Sequence, residues 1–163
     1  MGITNVVKNT DDLSLTVHAE YDVTPERAWQ LFADPRQLER WWGPPTWPAT
    51  VVEHDMRVGG QMTYFMTGPD GTKAAGFWNF LAIDPPRRLE IQDGFADADG
   101  NELEGMPRSR MVVELAESPS GGTLVTIRSE FESTEAMQKL MDMGMQEGFT
   151  TAMGQIDDIL AAA

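Results

Sequence analysis

A chain of 163 residues with 41% apolar and 23% charged side chains is long enough for one domain with a real core, and too hydrophobic to stay disordered. Its 26 acidic residues against 12 basic ones leave a net charge of −14, which repels phosphate backbones and anionic lipid and excludes nucleic acid as a partner. No apolar run approaches the ~20 residues of a membrane span, the first residues lack a signal-peptide pattern, and there is no cysteine, so a cytoplasmic protein without membrane insertion, disulfides or a thiolate metal site is expected.

Residues 1–10 are expected to form a flexible segment at the start of a single domain. Leu13, Leu15, Val17, Ala19 and Tyr21 then alternate with Ser14, Thr16, His18 and Glu20, the period of a half-buried strand. Thr24-Pro25-Glu26 supplies a cap, a first-turn proline and an acid, and so starts a helix. Asp34-Pro35-Arg36-Gln37 repeats the pattern and predicts a second short helix that stops at Gly43-Pro44-Pro45. From residue 50 to 130, turn residues separate six strands, roughly Thr50–Arg57, Gln61–Thr67, Lys73–Ile83, Arg88–Phe95, Arg108–Glu117 and Thr123–Glu130. Short connections between them favour hairpins and an antiparallel sheet over a βαβ array. Ser133-Thr134-Glu135 caps a last helix whose apolar residues recur in steps of three and four, from Met137 to Leu160. At ~1.5 Å per residue, about 28 residues would reach ~42 Å and cross the whole sheet.

Strand, two short helices, six strands and a long helix make an α+β helix-grip fold: a curved antiparallel sheet of about seven strands wrapped around the C-terminal helix. The strings Trp41-Trp42-Gly43-Pro44, Asp55-Met56-Arg57-Val58-Gly59-Gly60, Pro69-Asp70-Gly71, Asp84-Pro85-Pro86-Arg87-Arg88-Leu89, Gly121-Gly122-Thr123 and Glu147-Gly148-Phe149 occur in order between those elements. Together they are similar to the signatures of the activator-of-heat-shock-chaperone-ATPase homologue family, within the SRPBCC or START-like superfamily. The resemblance implies the helix-grip fold and a space between sheet and helix; activity follows from it far less directly.

Aromatic and methionine side chains concentrate where that space would be. Trp41, Trp42, Trp47, Met62, Tyr64, Met66, Trp78, Phe80, Phe95 and Met111 are expected to line it from the helices, loop and strands, with Met141, Met145, Phe149 and Met153 facing them from the long helix. Methionine repacks around irregular guests, whereas the same residues could also simply interlock as core. Gly144 and Gly148 would leave a bare strip on the helix. His54 shares a strand face with Val52 and Met56, so it is a candidate hydrogen-bonding ligand residue and the only weak candidate for catalysis. Asp97-Ala98-Asp99-Gly100 suggests part of a calcium loop, but in that register Phe95 and Met106 fall where carboxylates are essential, so a solvated acidic loop and no metal are expected. No nucleophile elbow or phosphate-cradling loop occurs, and no cofactor is expected.

These readings favour a binder of a small hydrophobic or aromatic molecule, lipid- or polyketide-like, held between sheet and helix. An enzyme of cyclase, aromatase or hydrolase type using the same cavity is the alternative, and a chaperone-ATPase interaction module a further one. Phe77, Leu81 and Ile83 alternate with Trp78 and Phe80, which makes that strand apolar on both faces and suggests a homodimer.

Overall fold

The computed structural model describes residues 2–162. In chain order they form β1 (Gly2–Asn9), β2 (Ser14–Tyr21), α1 (Pro25–Ala33), α2 (Pro35–Trp42), β3 (Ala49–His54), β4 (Gln61–Thr67), β5 (Lys73–Asp84), β6 (Arg88–Ala96), β7 (Ser109–Glu117), β8 (Thr123–Phe131), α3 (Thr134–Asp142), α4 (Met145–Met153) and α5 (Ile156–Ala161). All eight strands join one antiparallel sheet in the order β1-β2-β8-β7-β6-β5-β4-β3, which is the helix-grip topology. The helical pair α1–α2 carries the chain from the β2 side of the sheet to its far edge at β3.

Asp34 sets that pair. Its backbone N–H closes α1 on the Gln30 carbonyl, while its carboxylate caps α2, accepting from the Arg36 N–H at 2.9 Å and from the Gln37 amide at 3.0 Å. The Gln37 amide, followed by the backbone N–H groups, holds the Asp34 carboxyl below its ordinary range. Trp41 then returns its indole N–H to the Leu31 carbonyl at 2.8 Å, locking the helices together.

The core is in two pieces. The larger runs from Trp29, Phe32 and Leu38 through Trp41, Met62, Trp78, Phe80 and Ile91 to Met153, Ile156 and Ile159. The smaller holds Leu15, Phe131, Met137 and Leu140 under α3.

Three expectations are corrected. Residues 2–9 are not a flexible segment: β1 pairs with β2 as an eighth strand, with Ile3 and Val6 on the core and most other side chains solvated. The single long helix is three segments, because Gly144 takes a left-handed backbone (φ 83°) before α4 and a second interruption falls at Gly154-Gln155. Strand β5 does not carry one continuous outer apolar face either. A register shift between Phe80 and Ala82 brings Ile83 opposite Leu89 and onto the inner core, while Phe77 lies over Gly94, where a Cβ would stand 2.5 Å from the ring. Of Phe77, Leu81 and Ile83, only Leu81 stays exposed, at 44%.

Candidate functional site

The two core pieces do not merge. Between them lies a cavity of about 460 Å³, with Trp42, Tyr64 and Met111 contributed by the larger cluster and Leu140 by the smaller. Sheet strands β4, β6, β7 and β8 form its floor, α3 and α4 its roof, and the loop after α2 one side, with Pro44 and Trp47. Trp47 is wedged by glycine: a Cβ on Gly68 would stand 2.6 Å from its ring. Gly148 lines the roof and has open space where a Cβ would go.

Trp42 organises the aromatic wall. Its ring meets those of Trp41, Tyr64, Trp78 and Phe149 edge-on at centroid distances of 5.8, 5.9, 4.8 and 5.9 Å. Among the described residues its buried indole N–H has no hydrogen-bond partner. Tyr64 lays its hydroxyl over Gly76, where a Cβ would be 2.4 Å from the oxygen, so only glycine permits this pose.

The sequence-expected residues divide accordingly. Trp42, Trp47, Tyr64, Met66, Phe95, Met111, Met145 and Phe149 lie in the cavity wall. Trp41 and Trp78 do not; they are fully buried behind Trp42. Met62, Phe80 and Met153 are interlocked in the larger core, and Met141 packs against the smaller cluster. His54 is also away from the wall. A register shift between Val51 and Glu53 puts it opposite Met62, with Val52 turned out to solvent, so Val52 and His54 do not share a face. Its Nε2 lies 3.1 Å from the Phe32 carbonyl, which makes it the donor, and its ring stands on Phe80. That is a packed, satisfied histidine holding β3 to α1.

The polar floor was not foreseen. Asp93 on β6, its cross-strand partner Ser109 on β7, and Ser129 on β8 open into the cavity. Part of Asp93 faces the cavity's solvent, but its carboxyl is hemmed in by protein; this desolvation raises its pKa to about 7, opposed by a hydrogen bond from the Gly94 N–H. The Tyr64 phenol is pushed far above its usual value by burial first and by Asp93 second. Strand alternation marks Asp93: Leu89, Ile91, Asp93 and Phe95 share one face. The acidic loop itself is solvated, with the Asp97 carboxylate accepting the N–H groups of Asp99 and Asn101. Among the described residues no group of His, Asp or Glu is arranged to hold a metal, and no helix is long and apolar enough to cross a membrane.

Solved structures carry the same architecture. Protein Ms6760 from Mycobacterium smegmatis is 48% identical, with a TM-score of 0.90 over 99% of this chain and 98% of that one. A protein from Arthrobacter aurescens, also 48% identical, has a TM-score of 0.92 over 98% of this chain and 92% of that one. CalU16 from Micromonospora echinospora, at 25% identity, aligns with a TM-score of 0.58 over 88% of this chain and 73% of that one. No curated protein sequence matches. The family model described as "activator of Hsp90 ATPase homolog 1-like protein" matches residues 22–161, a span that runs from the α1 cap to the end of α5, and this chain therefore belongs to the activator of Hsp90 ATPase homologue 1-like family within the helix-grip fold.

Proposed function

We propose that the chain binds a small, largely apolar molecule between its curved sheet and the helices α3 and α4. The observation that supports this most is the cavity: about 460 Å³, with tryptophan, phenylalanine and methionine prominent in its wall and few polar groups. Burial of the guest's apolar surface would supply affinity at ~25 cal/mol per Å², and the few polar groups on the floor would orient it. Methionines at 66, 111, 143 and 145 give the wall the pliancy to fit more than one outline. Contact with a chaperone, which the family description suggests, has no residue-level argument beside this one.

The test uses the open space beside Gly148. Titration with hydrophobic metabolites and naphthalene-based dyes should shift tryptophan emission, because Trp42 and Trp47 are in the wall, and should raise the melting temperature. Gly148→Leu should keep the fold and abolish both responses by occupying the space. If no apolar compound moves either signal in the parent protein, or if Gly148→Leu responds equally, the cavity is not a binding site.

A further inference from the structure

The cavity wall contains one carboxyl group, Asp93, one phenol, Tyr64, and no lysine, arginine or histidine. Among the described residues Asp93 has no ion-pair partner, although the sheet's outer face is rich in arginine. Arg108, next in sequence to Ser109, turns outward to Glu102 and Gln92. A carboxyl set in a mainly apolar chamber without a counter-charge is costly, and the protein offers it only the Gly94 N–H. An anionic guest would meet only repulsion there.

We infer that the molecule bound in this cavity carries a basic nitrogen, which Asp93 receives as an ammonium group beside the rings of Trp42, Tyr64 and Phe149. The inference rests on the binding function proposed above and names the chemical class of its ligand. A cation repays the buried carboxylate in full, where a hydroxyl would offer only a dipole. Aromatic rings in the same cavity wall would add cation–π attraction, and the chain's net charge of −14 draws cations toward it. The Ser109 hydroxyl, directly opposite Asp93 across the strands, supplies a neutral acceptor for a second ammonium hydrogen.

The titration of the site follows from the same groups. From β4 the Tyr64 phenol faces Asp93; β7, β8, α3, α4 and the segment 97–107 present serines, methionines, Pro107, Leu140 and Phe149 to the cavity and no charged side chain. Burial therefore lets Asp93 hold its proton up to about pH 7. Affinity for an ammonium ligand should rise as pH increases through that value, since the carboxylate is then the resting form.

Naphthylmethylamine, naphthylmethanol and naphthoic acid are matched probes. The parent protein should bind the amine roughly ten- to hundredfold more tightly than the alcohol at pH 8, the range of a charge-assisted hydrogen bond, and bind the acid least. Asp93→Asn should bring the amine down to the alcohol's level and erase its pH dependence, and its melting curve reports that the variant is folded. If amine and alcohol bind alike, or if Asp93→Asn retains the preference, the inference is wrong and the apolar cavity function stands. If none of the three binds, both fail.

Discussion

Two acids on strand β6, three residues apart, live under opposite rules. Glu90 faces outward, where Arg110 and then Arg88 hold its carboxyl below the ordinary range; Arg110 lies 2.7 Å away and continues through Glu130 to Arg128 in a ladder across β7 and β8. Asp93 faces inward without a cation and keeps its proton to about pH 7. The strand is the same and the residue chemistry nearly so. What differs is whether the fold supplies a partner: it does where the acid serves the sheet, and it does not where the acid opens onto empty space.

The largest way to break this contrast is to remove the inner acid. In the unfolded chain an aspartate loses its proton near its ordinary 3.8, in the folded protein near 7. Between those values unfolding releases a proton, so stability should fall as pH rises from about 4 to about 7 and stay level above, by up to about 4 kcal/mol. Urea unfolding of Asp93→Leu should show no such decline, leaving the variant more stable than the parent at pH 8 and about equal at pH 4. A smaller change gives Asp93 the partner it lacks. Ser109→Lys sets an ammonium directly opposite, and an NMR titration should find the Asp93 carboxyl lowered by roughly 1–3 pH units, with selectivity for amine probes lost.

On the outer face the effects shrink. Glu90 contributes stability above the ordinary carboxylate range that is lost as pH falls through its lowered value, and Glu90→Gln should cost about 1 kcal/mol at neutral pH, less in high salt. Smallest of all, Gly148→Ala should raise stability by about 0.5–1 kcal/mol in thermal or urea unfolding, because alanine suits a helix better and its Cβ meets nothing. A gain there would show that glycine is kept in the roof at the expense of stability.

Most of the architecture was legible because it rests on local signals. Turn residues bounded the six central strands, and Thr24 and Asp34 announced their helices by cap chemistry that the structure repeats atom by atom. What was not legible depends on events that leave little trace in a short window. β1 buries only a few side chains at the sheet edge, so Gly2–Asn9 has no usable period. The shifts at Val52 and after Phe80 change which face a residue takes, and this misplaced His54 and Ile83 in the reading from alternation. For the cavity, bulky residues were found by type, yet type cannot separate a lining methionine such as Met111 from an interlocked one such as Met62. Asp93 was in phase with its apolar neighbours, and a charge at an inward position was the clue.

The dual cap at Asp34 has a mechanical consequence for that chamber. Because one residue both ends α1 and begins α2, and Trp41 is tied back to Leu31, the two helices cannot pivot against each other without severing several bonds at once, so Trp42 behaves as a fixed abutment. Facing it, α4 is a nine-residue segment hung between backbone interruptions at Gly144 and Gly154. On the binding role proposed above, any accommodation of guests of different bulk would fall on that one panel, leaving the floor and the tryptophan side as the unchanging gauge of shape.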